Sequence, residues 1–251
     1  MIIRFLGTGA ADWKGVPESF PGYRYFSSAL IDGTLLIDPG PDVFASAERY
    51  GIDLSGIKFI ICTHSHGDHF SRETLDRLTS AGAVFIPLKE GEFASLGSHK
   101  VLALKGNHGT CSDCVHFLIG SGGRVLYYAL DGAWLLYEEV EAIKHARALV
   151  ATTPASANAQ GNNPTSSSGP RKPVDMIVLD ATIGDVPGDY RIFEHNNLNM
   201  DREIRQTLLP YIDSFVISHM ALTLHRPHNE LSEAMAAEGF TTACDGMTLE
   251  I

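Results

Sequence analysis

The sequence predicts an α+β protein of two β-rich halves, each carrying helices and packed as one domain over 1–251. Short apolar, β-branched runs recur along the chain. Segments of helical spacing lie between them. The second half alternates strand and helix through VDMIVLD, NMDREIRQTLLPYI, SFVIS, ELSEAMAAEG and TTACDGMTLEI. No strong sequence repeat accompanies this alternation.

The opening IIRFLG reads as a strand, and a loop rich in glycine, proline and aromatics follows (TGAADWKGVPESFPGYRYF). SSALI and TLLID are strands flanking the turn Asp32-Gly33, an Asp-Gly hairpin signal. IKFIICT is a continuous apolar run, the pattern of a strand covered on both faces. SRETLDRLTSAG starts on serine, ends on glycine and keeps helical spacing between. AVFIP, KVLAL, VHFLIG and RVLYYAL are further short strands, and WLLYEEVEAIKHARALV is a helix. Residues 151–173 are small and polar, and the expectation is a flexible surface loop inside one domain rather than a domain linker.

With 251 residues the chain is long enough for one to two domains, and 44% hydrophobic with 20% charged residues is an ordinary globular composition. No apolar run reaches the roughly 18 residues of a membrane span. The N-terminal apolar stretch is too short for a signal-peptide core, so a cytoplasmic location is expected. Nineteen basic against thirty acidic residues give a formal charge of −11. An acidic surface repels nucleic acid and anionic membrane, yet a local cation can still attract a small anionic substrate. Four cysteines are too few for a disulfide framework at this length.

The segment His64-Ser65-His66-Gly67-Asp68-His69 places four potential metal ligands in six residues, directly after a buried strand. Gly67 is expected to permit a tight bend there. Such a segment cannot complete a metal shell alone. The remaining candidates sit where strands should end: His108 in GNHGT, Asp131 closing RVLYYALD, and His219 closing SFVISH.

HSHGDH with these ordered downstream residues resembles the HxHxDH signature of the metallo-β-lactamase superfamily. The resemblance implies a four-layer αββα sandwich with metals at the strand ends. LDAT at 179–182, EHNNLNM around His195, VISHM at 216–220, CDGMTLEI and the N-terminal FLGTGA are similar to one branch. That branch is the phosphoribosyl cyclic phosphate phosphodiesterases of the carbon–phosphorus lyase pathway. Carried over residue by residue, His64, His66 and His108 would hold one divalent metal ion. Asp68, His69 and His219 would hold a second, and Asp131 would bridge them. In some relatives the carboxylate equivalent to Asp68 also positions the attacking water, which makes Asp68 a catalytic residue as well as a ligand. An all-N/O shell suits zinc, manganese or iron.

The same resemblance makes His195 the acid that protonates the leaving group or contacts phosphate, since imidazole near neutral pH can do either. Its segment also reads as a helix cap through Asn196 or Asn197, and both readings can hold together. Asp38, and in a similar way Asp180, would support the ligands from behind. His225 and His228 could replace His219 as ligand, could bind substrate with Arg226, or could sit in a polar loop. The similar enzymes carry a structural zinc bound by cysteines of the first loop. Residues 8–27 here contain none, so that zinc is not expected. Cys111 and Cys114 form a C-x-x-C pair with His116 nearby that could bind a metal or be redox active, but without a second cysteine pair they read as ordinary buried thiols, and His99, His116 and His145 as structural.

The implied activity is that of a dinuclear metal-dependent hydrolase in which a hydroxide held by the metals cleaves a phosphodiester, cyclic or nucleotide-like. A lactonase, thioesterase or other ester or amide hydrolase on the same scaffold is the alternative. An RNA-processing nuclease fits less well, because the charge is −11 and no basic arm is visible. A small anionic substrate is the expected partner, without membrane or nucleic acid, and a homodimer is left open.

Overall fold

The computed structural model describes residues 1–151 and 171–251. Most of the loop expected at 151–173 lies outside the described residues. Two mixed sheets organise the chain. The first joins β1 (Ile2–Gly7), β2 (Ser28–Ile31), β3 (Leu35–Ile37), β4 (Phe59–Ile61) and β5 (Val84–Phe85) in that order. The second runs from β6 (Phe93–Leu96) through β7 (His99–Lys105), β8 (Val115–Ser121), β9 (Arg124–Ala129), β10 (Val174–Asp180) and β11 (Ile212–Ser218) to β12 (Phe240–Thr242). β13 (Thr248–Glu250) returns to the first sheet, antiparallel to β1.

Period-two alternation gives the strands away from the sheet edges two buried faces. Ile3, Phe5, Ile31, Leu35, Ile37 and Ile61 of the first sheet meet Val101, Phe117, Leu126, Tyr128, Val178 and Val216 of the second, forming the central core. On the other side of the first sheet, Leu6, Leu30, Leu36 and Ile60 pack against α1 (Val43–Tyr50) and α2 (Arg72–Ser80). Opposite, Leu118, Tyr127, Ile177 and Ile217 pack against α3 (Tyr137–Lys144), α4 (Ala146–Ala151), α5 (Leu198–Leu208) and α6 (His228–Ala237). This is the four-layer αββα arrangement, and it explains why the strands read as unbroken apolar runs: both faces are covered. Among the described residues no helix is long and apolar enough to cross a membrane.

Four stretches depart from the sequence expectation. The helix expected from Trp134 begins only at Tyr137, because Trp134 takes φ 52°, outside the helical region. It also breaks at His145 (φ −114°, ψ 11°), which separates α3 from α4. The C-terminal strand is two: Gly246 turns the chain at φ 78°, and β12 and β13 lie in different sheets, so the C-terminal segment ties them together. α1 and β6 are absent from the sequence expectation, although Val43, Ser46 and Ala47 of α1 lie on one buried face. α1 ends on Gly51 at φ 63°, a left-handed stop, while β6 is an edge strand with exposed Phe93.

Candidate metal centre

β3 and β4 are parallel, as are β9, β10, β11 and β12, and their carboxyl ends open on one rim of the sandwich. The functional side chains come from the segments that leave these strands. Asp38, Asp131 and His219 each follow a strand end and take left-handed backbone, with φ 62°, 57° and 63°. Side-chain-bearing residues rarely hold this conformation, and it persists where surrounding structure over-determines it. Here it breaks each strand and turns the side chain to the rim. The His64–His69 loop leaves β4 instead as a right-handed turn, with His69 N donating to His66 O at 3.0 Å and Phe70 N at 2.8 Å. Gly67 is not among the positive-φ glycines, so the bend does not need glycine, contrary to the sequence expectation.

The seven residues singled out in the sequence converge in two groups. One consists of His64, His66, His108 and Asp131; the other of Asp68, His69, Asp131 and His219. In the first, His66 Nδ1 lies 2.9 Å from His64 Nε2 and 3.2 Å from His108 Nε2. In the second, His69 Nε2 lies 3.2 Å from His219 Nε2 and 3.5 Å from Asp68 Oδ2. Asp131 stands between them, its Oδ2 3.0 Å from both His64 Nε2 and His69 Nε2. Metal bonds of about 2.0–2.2 Å to nitrogen and oxygen would set neighbouring donors about 3–3.5 Å apart. The observed spacings are close to that range. Asp131 Oδ1 is buried without an aligned donor, although His195 Nδ1 and His219 Nε2 both stand 3.2 Å away. An orphaned carboxylate oxygen among imidazoles fits a cation site.

A ring of buried groups orients these donors. Asp38 holds His69 from behind, and Thr63 links Asp38 to His64. Thr182 Oγ1 lies 2.7 Å from His219 Nδ1, and Asp180 Oδ2 lies 3.2 Å from His195 Nδ1. The Glu194 carbonyl stands 3.2 Å from His108 Nδ1. The two threonines were missed in the sequence, where the LDAT segment was the only signal for Thr182. Asn197 caps α5 through Met200 N, so the capping reading of the His195 segment also holds. His225 and His228 reach other partners: His225 Nε2 lies 2.7 Å from the Ala181 carbonyl, and His228 Nδ1 3.0 Å from Arg24 Nη2. Cys114 is buried and points to the Asp131 carbonyl, whereas Cys111 is only half-buried and points to Asp113.

Electrostatics separate the two groups. Burial lowers His64 and His108 below the ordinary histidine value. Burial acts the same way on His69, but Asp68, Asp131 and Asp38 outweigh it and raise this ring well above that value. His219 is likewise opposed by burial, yet Asp131 and hydrogen bonding to Asp180 push it up to about 9. His195 rises to about 10 against its own burial, chiefly through Asp180 and Asp131. Neighbouring imidazoles hold Asp68, Asp131 and Asp180 below the usual carboxylate range despite burial. The centre thus retains protons where cations would otherwise offset its carboxylates.

A cleft of about 240 Å³ lies over both groups, with Asp12, Thr110, Arg191, Glu194 and His195 around its mouth. Arg191 is gripped by Asp189 through Nε and Nη2 at 2.9 and 2.6 Å. A larger cavity of about 400 Å³ behind the His64 loop is walled by Phe70, Phe85 and Leu88 and includes only His64 of the seven donors. The chemistry belongs to the smaller cleft.

Residues 27–72 match the metallo-beta-lactamase superfamily family model. No curated protein sequence matches the chain. Among solved structures, a diphosphatase of the PhnP family is similar over 100% of this chain and 97% of its own, at 21% identity and TM-score 0.66. Zn²⁺-bound PqqB from Methylobacterium extorquens is similar over 100% of both chains, at 16% identity and TM-score 0.69. Human tRNase Z, short form, covers 100% of this chain and 99% of its own, at 16% identity and TM-score 0.63. The matched segment carries Asp38, His64, His66, Asp68 and His69, and the fold of these solved structures is shared over the full length of the chain: the chain has the metallo-β-lactamase fold.

Proposed function

We propose that this protein is a dinuclear metal-dependent hydrolase that cleaves a small phosphodiester. The observation that carries the reading is the placement of Asp131 between two donor groups, each with three further ligand side chains. Formal charge supports two cations. Asp38, Asp68, Asp131 and Asp180 bring −4 into a buried centre whose other donors are imidazoles, and two divalent ions bring +4. When bound, such a pair lowers the pKa of a shared water and neutralises charge developing on both oxygens of a displacement.

The chain's own residues supply orientation and a proton. Asp38, Thr63 and Thr182 fix the imidazole planes, so the donor set is arranged before substrate arrives. Asp68 lies at the cleft floor and can orient a water. His195 directs Nδ1 to Asp180 and Asp131, which leaves Nε2 as the ring nitrogen for the cleft. Its side chain is 15% exposed there, placed to donate a proton to a departing oxygen.

The mouth disfavours a polynucleotide. Asp12 and Glu194 flank the cleft, and Arg191 is already paired with Asp189. The similar PhnP-family diphosphatase and the tRNase Z both act on phosphorus esters or anhydrides by name, which supports phosphoryl chemistry without fixing the substrate. The test is metal analysis followed by a panel setting bis-(p-nitrophenyl) phosphate against lactone, thioester and β-lactam substrates. Metal-dependent turnover is expected to be highest on the phosphodiester. Faster turnover of any of the other three would overturn the reading.

A further inference from the structure

His116 lies on β8, facing α3, and takes no part in either donor group. It and Glu139 of α3 are each 1% exposed, with His116 Nδ1 2.6 Å from Glu139 Oε1. Glu139 is fixed in turn, accepting from the Tyr127 hydroxyl and, through Oε2, from Leu136 N at 2.6 Å. Burying such a pair costs desolvation that an apolar pair would not, which makes it a poor device for stability alone.

The far edge of the ring is what gives the pair a use. A Cβ at Gly106 would stand 2.6 Å from Cys114 Sγ and 3.0 Å from His116 Nε2; one at Gly132 would meet the ring first, 2.8 Å from Cε1 and 2.9 Å from Nε2. Neither glycine has positive φ, so glycine is required there for space and not for conformation. Gly106 lies two residues before His108, and Gly132 follows Asp131. The two loops are also tied to each other, Ala133 N donating to Asn107 O at 3.0 Å and Asn107 Nδ2 to Ala133 O. Cys114 Sγ donates to the Asp131 carbonyl at 3.4 Å. His116 Nε2 is buried between these backbones without a hydrogen-bond partner among the described residues.

We propose that His116, clamped by Glu139, is a positioning residue whose ring sets the spacing between the loops that carry His108 and Asp131. It touches neither metal nor substrate; it fixes one ligand of the first group and the shared ligand of both. This rests on the metal-centre reading above.

The test is equilibrium zinc titration of the full chain, with thermal unfolding of the metal-free protein as a parallel readout. Gly132→Ala drives a methyl into the ring, and His116→Ala removes the ring. Each is expected to weaken zinc binding at least tenfold. The double variant should bind no worse than the weaker single, because the methyl enters vacated space. Leu208→Ala, a core truncation at the far end of α5, should lower the unfolding temperature but leave zinc affinity within twofold. Glu139→Gln keeps the volume and weakens the clamp. Its expected severalfold loss keeps the test open where His116→Ala does not fold. Wild-type affinity in both Gly132→Ala and Glu139→Gln, or fully additive losses in the double variant, would overturn the proposal. Wild-type affinity in Asp131→Ala would instead overturn the metal-centre reading beneath it.

Discussion

Asp38 Oδ2 stands 2.9 Å from His69 Nδ1, with both side chains wholly buried. The other oxygen of the same carboxylate accepts from Thr63 N at 2.7 Å and Thr63 Oγ1 at 2.9 Å, and Thr63 Oγ1 lies 3.1 Å from His64 Nδ1. One aspartate therefore orients an imidazole in each donor group. Asp38→Asn puts an amide where two acceptor oxygens are used, so at least one ring loses its fixed tautomer. Loss of such a supporting partner costs about 10–100-fold in metal affinity. Competition against a chromophoric chelator checks it, and unchanged affinity would remove Asp38 from the support of the centre.

Asp131 is shared by both groups, and its replacement is expected to act on both. Asp131→Ala should lower metal content at each site, where loss of a ligand to one site alone would leave the other filled. Elemental analysis after gel filtration measures this. Full, tight loading with two metals would sink the bridging assignment.

Metal uptake should depend on pH with a definite sign. Without metal, His219 titrates at about 9 because Asp131 and Asp180 outweigh its burial. Below that pH the ring keeps a proton that a cation must displace, so binding should release protons and tighten as pH rises from 6.5 towards 9. In the metal-free fold the sign is opposite. The raised pKa contributes stability that is fully present below about 6.5 and lost as pH rises through about 9. Asp180→Asn removes one of the partners that raise His219 and should flatten the pH dependence of zinc binding between 6.5 and 9. A slope identical to wild type would show that Asp180 does not control this proton.

Gly67 gives an expectation opposite to its place in the motif. Its backbone is not in the left-handed region, and a Cβ there would meet nothing within 4 Å. Gly67→Ala is expected to keep zinc affinity within about twofold and to gain a few tenths of a kcal/mol or more through a stiffer unfolded chain. A large loss of metal would mean that the loop must change conformation on loading.

The site was more legible in the sequence than parts of the scaffold, for a local reason. His64, His66, Asp68 and His69 are adjacent, while His108, Asp131 and His219 each end or follow a strong apolar run, so both features can be read without a fold. Thr63 and Thr182 could not be read this way. A threonine linking a carboxylate to an imidazole is defined by three-dimensional neighbours, and its sequence context is that of any strand end. His116 reads as structural in the sequence because, apart from the Cys111 and Cys114 pair, no ligand type stands at useful spacing; its partner Glu139 lies on another element and its ring packs against Gly106 and Gly132. The apolar run of the C-terminal segment predicts one strand, although Asp245-Gly246 is itself a turn signal and the chain turns there. The break at His145 depends on packing against the second sheet, which periodicity alone does not carry, whereas α1 has a helical period in Val43, Ser46 and Ala47 that its shortness hides.

His195 is the residue whose role separates binding from chemistry. Its Nδ1 faces Asp180 and Asp131, and its ring lies 5.1 Å from that of His108 and 5.7 Å from that of His219. It also belongs to a third cluster of donors, with Asp131, Asp180 and His219, so metal retention has to be measured first. His195→Ala is expected to keep its metals and lose turnover. Removing a positioned acid typically costs on the order of 10² to 10⁴ in rate. The loss should be large on an alkyl phosphodiester, whose departing alkoxide needs a proton, and small on a p-nitrophenyl ester, whose leaving group does not. Rates on the two substrates, measured with metal content held equal, decide among the roles. Equal losses would make His195 a phosphate-binding group, loss of metal would make it a ligand, and no loss on either substrate would place it outside the reaction.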